Sequence, residues 1–326
     1  MADKAEVLLL GPKKPTIVNQ LGPIFNLHCM VDAADRNALV AGVGSRIRGI
    51  AVSATTEKVD ADLMAKLPRL EIVSTFGVGY DHVAAKWAGE HGIAVTNTPD
   101  VLNEEVADTA LGLLLCTVRE LCAAERLVRS GKWPERYHRL TPGSLRNATV
   151  GLIGMGRIGQ AIARRLDAFQ VKVVYHSRRP QQGVAYQYYP DLIAMARDVD
   201  VLLAIVPGGA STKNLINRAV LDALGPEGFV INMARGTVVD EPELVKALQE
   251  KRIMGAGLDV YWNEPHAPKE LFELDNVVLF PHVGSASVAT RQAMDQLVVD
   301  NLKAWGEGKA PLTPVPDAPW PPQKRA

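Results

Sequence analysis

The sequence has few cysteines, and they are poorly placed for cross-linking. Cys29, Cys116 and Cys122 are an odd number without C-x-x-C spacing, so they fit neither a disulfide framework nor a structural zinc site. We therefore expect no metal site, and thiols that stay reduced.

Two further absences narrow the class of protein. Lys plus Arg and Asp plus Glu number 36 each, so no overall field attracts nucleic acid or an anionic membrane, and we expect neither partner. No stretch of about 18 apolar residues occurs, as a transmembrane helix would need. The first residues, MADKAEVLLLGP, lack the long apolar core of a secretory signal. The sequence therefore predicts a soluble, cytoplasmic protein.

What is present is an ordinary globular composition, with 47% hydrophobic and 22% charged residues among 326. This length predicts two domains of roughly 150 residues each. Short apolar runs alternate with longer amphipathic ones, which predicts an α/β fold with two doubly wound parallel sheets. A first series of strands is predicted at Glu6–Leu10, Gly49–Ser53, Glu71–Thr75 and Ala94–Asn97. A second is predicted at Thr149–Ile153, Val171–His176, Val201–Ile205, Phe229–Asn232, Gly255–Asp259 and Val277–Phe280.

Two helices decide how the domains are assigned. Residues Asn103–Ser130 carry apolar side chains at intervals of three and four, which predicts one long helix. Another helix is predicted from after Ser285 to about Trp305, followed by an extended, proline-rich tail. Because that helix comes too late for the second sheet, we expect it to cross back to the first. The expected domains are a flavodoxin-like substrate-binding domain, residues 1–100 plus 286–326, and a Rossmann domain, residues 101–285, with a ligand in the cleft between them.

A glycine-rich turn, VGLIGMGRIG at 150–159, follows the first strand of the second series and precedes a helix. In G-x-G-x-x-G the first glycine permits the tight turn, the second lets the backbone approach a pyrophosphate, and the third lets the helix pack closely. The helix N-terminus adds amide donors and a positive dipole. The motif predicts a dinucleotide site at Gly154, Met155, Gly156, Arg157, Ile158 and Gly159.

The residues after the next strand indicate which dinucleotide binds. NAD-binding sheets usually present Asp or Glu there, whereas this strand is followed by Ser177, Arg178 and Arg179. Two guanidinium groups can hold a 2′-phosphate, and no carboxylate repels it. We expect NADPH to be preferred, with NAD possible. The alternative is that both arginines are solvated loop residues.

Three loops at the carboxyl ends of successive predicted strands carry Arg235, Glu264 and His282. Ligands bind at this edge of a doubly wound sheet. Reduction of a 2-keto acid needs a cation for the carboxylate and a proton donor for the developing alkoxide, which suit Arg235 and His282. Glu264 can orient the histidine and stabilise its protonated form. Each residue alone is a weak indication, but the set in this order predicts hydride-transfer chemistry.

The chain resembles the D-isomer-specific 2-hydroxy acid dehydrogenases, and within them the glyoxylate and hydroxypyruvate reductases, along nearly its whole length. The segments that carry the resemblance are FGVGYDHV at 76–83, NEEVADTALGLLL at 103–115, VGLIGMGRIGQAIARRL at 150–166, INMARGTVVDEPELVKAL at 231–248, GLDVYWNEP at 257–265 and PHVGSAS at 281–287. The resemblance implies that Arg235 binds the substrate carboxylate, that His282 is the general acid supported by Glu264, and that Asp259 contacts the nicotinamide.

Further roles are implied by the same resemblance. The amides of Val78 and Gly79 would hold the other side of the carboxylate as an anion nest, with Ser53 lining the pocket. Further cofactor contacts are implied at Thr109, Val206, Pro207, Ala234, Asp259, His282 and Gly284. The family is dimeric, so a homodimer is expected. Trp133 and Tyr137 would either pack its interface or reach the neighbouring subunit's pocket.

Two other functions stay open. One is reduction of larger aromatic 2-keto acids such as 4-hydroxyphenylpyruvate, as plant members with similar motifs do. The other is nucleotide sensing, as in the transcriptional corepressors that resemble this family. The short tail is the only segment beyond the enzyme-like sequence, which favours a small-molecule substrate over a protein partner.

Overall fold

The computed structural model describes residues 4–322, so the last residues of the predicted extended tail, 323–326, lie outside the described range. The chain forms two compact units, one made of residues up to Leu102 and from Ser287 on, the other of Asn103–Ala286. Each contains a parallel sheet with helices, which confirms the predicted fold class. In the described part of the chain, no helix is long and apolar enough to cross a membrane.

The first unit contains a five-stranded parallel sheet in the order β2-β1-β3-β4-β5. The strands are β1 Glu6–Leu10, β2 Asn26–Cys29, β3 Ile47–Val52, β4 Ile72–Thr75 and β5 Ala94–Thr96. This is the flavodoxin-like order, in which ligands bind beyond the carboxyl ends of the strands. Strand β2 escapes prediction because it lies at the sheet edge and none of its four residues is buried, so it shows no apolar run.

The helices of this unit are α1 Pro15–Leu21, α2 Arg36–Val43, α3 Ala61–Ala65, α4 Ala85–Glu90 and α11 Val288–Gly306. Helix α11 packs on α1, β3 and β4, and Ser287 caps it by accepting the Thr290 N–H at 3.2 Å. Trp305, near its end, lies over Gly49 of β3, where a Cβ would be 3.3 Å from the indole ring. The predicted C-terminal helix is therefore confirmed, and it packs on the N-terminal sheet.

The chain after α11 runs along the free edge of β5. The Val315 N–H donates to the Val95 carbonyl at 2.8 Å, and the Val95 N–H donates to the Ala318 carbonyl at 3.1 Å. The side chains of Val315 and Ala318 are buried. Through residue 322 the tail forms no helix, as predicted. It satisfies backbone groups that an uncovered edge strand would expose.

The second unit contains a seven-stranded parallel sheet in the order β12-β11-β10-β9-β6-β7-β8. The strands are β6 Thr149–Ile153, β7 Lys172–His176, β8 Gln187–Tyr189, β9 Val201–Ala204, β10 Phe229–Asn232, β11 Gly255–Leu258 and β12 Val277–Leu279. The direction of winding reverses between β6 and β9, as in Rossmann sheets. All predicted strands of this series are present. Strand β8 is an additional edge strand, and its residues, QYY, form no aliphatic run.

The helices of the second unit are α5 Asn103–Val118, α6 Leu121–Arg129, α7 Arg157–Ala168, α8 Leu192–Arg197, α9 Arg218–Leu224 and α10 Glu241–Gln249. The predicted single helix Asn103–Ser130 is therefore wrong. Glu120 has φ of +49°, a left-handed conformation that ends one helix before the next begins. Its carboxylate accepts two hydrogen bonds from Arg139, at 2.6 and 3.0 Å. The apolar spacing continues across the break and conceals it.

Because the tail pairs with the edge strand β5, we expect two substitutions by alanine in the tail to have unequal effects on stability. Val315→Ala, at a side chain 2% exposed, should lower the free energy of unfolding by about 1–3 kcal/mol, since it removes buried methyl groups. Leu312→Ala, at a side chain 59% exposed, should change it by less than about 0.5 kcal/mol. Urea unfolding followed by circular dichroism measures both. Equal effects would mean that the tail does not contribute to the core.

Candidate active site

The glycine turn between β6 and α7 has the geometry that a dinucleotide requires. Gly154 has φ of +108°, and a Cβ on it would lie 2.7 Å from the carbonyl oxygen of Ile205. A Cβ on Gly159 would lie 2.4 Å from the Gly154 carbonyl oxygen, so turn and helix are in contact. At Gly156 nothing lies within 4 Å of an added Cβ. The outer glycines are required by packing, and the middle one leaves open space that a pyrophosphate can use.

The other residues predicted to bind the dinucleotide here lie on the turn or follow β9. Helix α7 begins at Arg157, with Ile158 in its first turn, and no side chain caps this end. Met155 is buried, which leaves its backbone for any contact with a cofactor. Val206, after β9, adjoins the turn, because its Cγ1 lies 2.9 Å from the position of a Cβ on Gly154. The next residue, Pro207, is exposed, and its carbonyl accepts the Thr212 hydroxyl at 2.7 Å.

The segment after β7 is held by local hydrogen bonds. The Ser177 hydroxyl donates to the Arg179 carbonyl at 2.7 Å, and the Tyr188 hydroxyl donates to the Ser177 carbonyl at 3.1 Å. The side chains of Arg178 and Arg179 are exposed, and among residues 4–322 no carboxylate pairs with either guanidinium. Both cations therefore stand on an ordered turn without an internal counter-ion.

The three predicted catalytic residues follow adjacent strands. Arg235 follows β10, Glu264 follows β11 and His282 follows β12, and these strands are neighbours in the sheet. Because parallel strands end at the same edge, the three loops come together there. Two side chains of the set are in direct contact, since the Nδ1 of His282 and the Oε2 of Glu264 are 2.6 Å apart.

The loop of Arg235 is ordered by its own neighbours. The amide of Asn232 donates to the Arg235 carbonyl at 3.0 Å, and the Asn232 side-chain oxygen accepts the Ala234 N–H at 3.1 Å. The guanidinium Nη1 donates to the Ala234 carbonyl at 2.8 Å. Ala234 is buried and Arg235 is partly exposed. The guanidinium is thus placed at the surface of the sheet edge.

Glu264 is kept as a carboxylate. Burial alone would raise its pKa, but the hydrogen bond and the charge of His282, the Tyr261 N–H at 3.1 Å and the charge of Arg235 outweigh burial and lower the pKa below its usual range. An ionised Glu264 fixes Nδ1 of the imidazole and stabilises its protonated form. Nε2 is the ring nitrogen that remains for a substrate.

His282 has a backbone φ of +55°, an uncommon conformation for a residue with a side chain. Asp259 stabilises the residues that follow, because its two carboxylate oxygens accept the Val283 N–H at 2.7 Å and the Gly284 N–H at 2.9 Å. Burial raises the pKa of Asp259, although both amides and the charge of His282 oppose this. The Gly284 carbonyl in turn accepts the hydroxyl of Thr109 at 3.1 Å.

The substrate residues predicted in the first unit lie after β3 and β4. Among the described residues, no acceptor is found for the amides of Val78 and Gly79, which are partly exposed. The Val78 carbonyl accepts the Asn97 amide at 2.7 Å, and this holds the loop. Ser53 is fully buried, and its hydroxyl lies 2.8 Å from the Pro12 carbonyl and 3.0 Å from that of Leu10. Val78 and Gly79 thus form an open amide pair, whereas the Ser53 hydroxyl bonds to the backbone.

Sequence reasoning missed several residues that shape these loops. Thr98 exchanges two hydrogen bonds of 2.9 Å with the backbone of Gly77, next to Val78. At Gly236 a Cβ would lie 1.9 Å from the carbonyl carbon of Tyr261, so two of the catalytic loops touch through their backbones. Gly236, directly after Arg235 in the motif ARG, is the one signal that the sequence gives for this contact, and it does not reveal the partner.

Comparisons with known proteins agree with this geometry. The family model described as the NAD-binding domain of D-isomer-specific 2-hydroxyacid dehydrogenases matches residues 111–284. A glyoxylate/hydroxypyruvate reductase A of Arabidopsis thaliana is 47% identical over 95% of this chain and 98% of its own. A hydroxyphenylpyruvate reductase of Plectranthus scutellarioides is 44% identical over the same shares of the two chains.

A solved structure is similar over the full length. The NADPH-dependent glyoxylate/hydroxypyruvate reductase of Sinorhizobium meliloti, in complex with NADP and malonate, is 51% identical, with a TM-score of 0.93. The match covers 99% of this chain and 100% of that one. With the glycine turn and the histidine–glutamate pair in place, the chain belongs to the D-isomer-specific 2-hydroxy acid dehydrogenases.

Proposed function

We propose that this protein is an NADPH-preferring reductase that converts small 2-keto acids, glyoxylate and hydroxypyruvate, to D-2-hydroxy acids. The observation that carries the proposal is the 2.6 Å contact between His282 and the ionised Glu264. Glu264 follows β11, which is the neighbour of β10, the strand that Arg235 follows. This set supplies a proton donor and a cation for a carboxylate. The relatives named for glyoxylate and hydroxypyruvate reduction support the small substrate.

The glycine turn fits a dinucleotide by three features: the positive φ of Gly154, the open space at Gly156 and the uncapped start of α7. The residues that would hold the cofactor are those of the turn together with Thr109, Val206, Pro207, Ala234, Asp259 and Gly284. When bound, the reduced nicotinamide supplies the hydride. Both carboxylate oxygens of Asp259 accept hydrogen bonds from backbone amides. Each oxygen has a second lone pair, which could accept a hydrogen bond from the nicotinamide carboxamide.

Arg235 would bind the substrate carboxylate and polarise the keto oxygen. In the first unit, the amides of Val78 and Gly79 form an anion nest that suits a carboxylate, whereas the Ser53 hydroxyl is bonded to the backbone. As negative charge develops on the keto oxygen, the Nε2 proton of His282 is transferred to it. Glu264, bonded to Nδ1, stabilises the imidazolium before the transfer and orients the ring throughout.

NADPH preference rests on the turn after β7. Arg178 and Arg179 are exposed and carry no internal counter-ion among the described residues, so a 2′-phosphate would meet two available cations. The hydroxyl of Ser177 lies on the same turn. The NADP complex of the S. meliloti relative supports this choice. NAD remains usable, because the glycine turn itself does not distinguish the two dinucleotides.

One observation favours a second substrate class. The relative named hydroxyphenylpyruvate reductase is nearly as similar to this chain as the glyoxylate reductase of Arabidopsis. Larger aromatic 2-keto acids are therefore the alternative substrates, with the same chemistry at Arg235 and His282. A cytoplasmic location stays a prediction from the sequence.

The substrate and cofactor are tested together by following NADPH and NADH oxidation with glyoxylate, hydroxypyruvate and 4-hydroxyphenylpyruvate. The highest kcat/KM should be obtained with NADPH and a small keto acid. His282→Ala should lose about 10² to 10⁴ in kcat with every pair, because a general acid is removed. Turnover of the aromatic acid alone would replace the substrate assignment, and no turnover would favour a nucleotide-sensing protein.

The arginine turn has its own control in the same assay. Arg178→Ala should reduce kcat/KM with NADPH more than with NADH, because a bond to the 2′-phosphate is lost only with NADPH. Arg197→Ala, which removes another arginine of the same unit, should leave the ratio unchanged. An unchanged ratio in Arg178→Ala would support the solvated-loop alternative.

The lowered pKa of Glu264 predicts a pH-dependent contribution to stability. The folded protein binds the carboxyl proton of Glu264 less readily than the unfolded chain does. The ionised carboxylate therefore adds to the free energy of unfolding above the usual carboxyl pKa of 4.5, and this contribution is lost as the pH falls through the lowered pKa. The Tm of the wild type should therefore exceed that of Glu264→Gln in mildly acid solution and converge with it at lower pH. A Tm difference that grows on acidification would contradict the direction of the shift.

We also propose that the protein is a homodimer that associates through α6 and the segment after it. Exposed apolar side chains cluster in this stretch of sequence: Leu121, Val128, Trp133, Tyr137 and Leu140. Exposed apolar groups in such numbers are typical of association surfaces. Trp133 and Tyr137 would pack this interface or reach the neighbouring subunit's pocket.

Sedimentation should therefore give twice the mass of one chain. Leu140→Glu, at a side chain 94% exposed, should shift the protein toward monomer, because it places a charge in the apolar surface. Phe272→Glu, at another exposed apolar side chain of the second unit, is the matched control and should remain dimeric. A monomeric wild type would refute the proposal.

A further inference from the structure

Tyr261 is a buried aromatic residue between Asp259 and Glu264 on the loop after β11. Its side chain is 9% exposed and packs in the core of the second unit, together with Val238, Val239 and Leu258. Nothing in its position as a core residue requires a hydroxyl, since a phenylalanine would fill the same space. The hydrogen bonds of Tyr261 show a more specific role.

Three contacts join Tyr261 to the three catalytic loops. Its N–H donates to Glu264 Oε1 at 3.1 Å, while the other oxygen of that carboxylate holds His282. Its hydroxyl donates to the carbonyl of Phe280, two residues before His282, at 2.9 Å. The Leu258 carbonyl lies 3.2 Å from the same hydroxyl. Its carbonyl group lies against Gly236, beside Arg235.

The hydroxyl adds a side-chain bond at the ends of two strands that the backbone also joins, through the Phe280 N–H and the Leu258 carbonyl at 2.8 Å. Glu264 is carried by the loop after β11, and His282 by the loop after β12. A bond from Tyr261 to Phe280 therefore fixes the spacing of the loops that bring these two side chains to 2.6 Å. Burial, followed by the negative charges of Asp259, Glu264 and Glu241, raises the pKa of the Tyr261 phenol, so it remains a donor at any working pH.

We propose that Tyr261 is a positioning residue for the proton-transfer pair, and that its hydroxyl sets the distance between Glu264 and His282 by tying the β11 loop to the end of β12. The proposal rests on the proposed reductase function. Tyr261 touches neither substrate nor cofactor in this scheme; it acts through Glu264 and His282.

Tyr261→Phe removes the hydroxyl and keeps the ring, so the packing is preserved. We expect kcat for keto acid reduction to fall about threefold to tenfold, the effect of one buried hydrogen bond, with KM changed less than about twofold. Carboxylate binding by Arg235 should persist because the contact at Gly236 is made by the backbone. The pH at which reduction declines should move downward, since a loosened Glu264 stabilises the imidazolium less.

Tyr189→Phe is the matched control. Its hydroxyl also makes one hydrogen bond, to Asp198 Oδ2 at 2.9 Å, but on β8 at the opposite edge of the same sheet. It should leave kcat and the pH profile unchanged. Thermal unfolding of both variants shows whether a loss of activity reflects a loss of folded protein.

A double-mutant cycle separates positioning from general loss of structure. If Tyr261 acts through the pair, Tyr261→Phe should cost much less in a Glu264→Gln background than in the wild type. Additive effects in the cycle would overturn the proposal, as would an unchanged kcat and pH profile in the single variant.

A measurement that does not need turnover separates the proposed reductase function from the proposed positioning role of Tyr261. The ¹³C-labelled imidazole signal of His282, assigned by its absence from His282→Gln, should shift in Tyr261→Phe and not in Tyr189→Phe. A wild type without keto acid reduction would refute the proposed function, while the shift of this signal would still support the positioning role. An unshifted signal would refute that role whatever the activity.

Discussion

Parallel pairing of β10, β11 and β12 is the constraint on which the proton-transfer site depends. Each strand is short, β10 and β11 are fully buried and β12 is partly buried, and each is followed within six positions by one functional residue. Because neighbouring parallel strands end at one edge, no long-range folding of loops is needed to bring Glu264 to His282. The loops themselves need only local bonds, such as those of Asn232 and Asp259, to hold their conformations.

Along the sheet of the second unit, the residues proposed for cofactor binding are separate from those proposed for proton transfer. The glycine turn after β6 and the arginine turn after β7 lie toward one side, whereas the proton-transfer pair lies after β11 and β12 toward the other. A cofactor that spans such an edge would place its phosphates and its nicotinamide in different chemical surroundings. The phosphate side offers amides and cations, while the other side offers an imidazole held by an ionised carboxylate.

Much of this could be predicted from the sequence, and the exceptions have physical reasons. Strands buried on both faces show continuous apolar runs, so β1, β6 and β9 were predictable, whereas the edge strands β2 and β8 have partly exposed residues and no such run. The break at Glu120 was not predictable because the apolar spacing of α5 continues into α6. The left-handed backbone there is supported by Arg139, which lies 19 residues away in the chain.

In the candidate site, too, some residues could be predicted from the sequence and others could not. Arg235, Glu264 and His282 could be chosen because residue type and motif order indicate their chemistry. The contacts of Tyr261 could not be, since a buried tyrosine reads in sequence as part of the core. Likewise, Gly236 gives no sign of the backbone that lies against it. Individual contacts between loops depend on register across strands, which a single sequence does not contain.

The covering of β5 by the tail has a consequence for synthesis on the ribosome. The second unit is one continuous stretch, so all of its strands have been synthesised before α11. The first unit, by contrast, begins with the earliest strands and is completed only by α11 and the residues that pair with β5. While the second unit is translated, the nascent sheet therefore exposes the edge of β5 and the parts of β3 and β4 that α11 later covers.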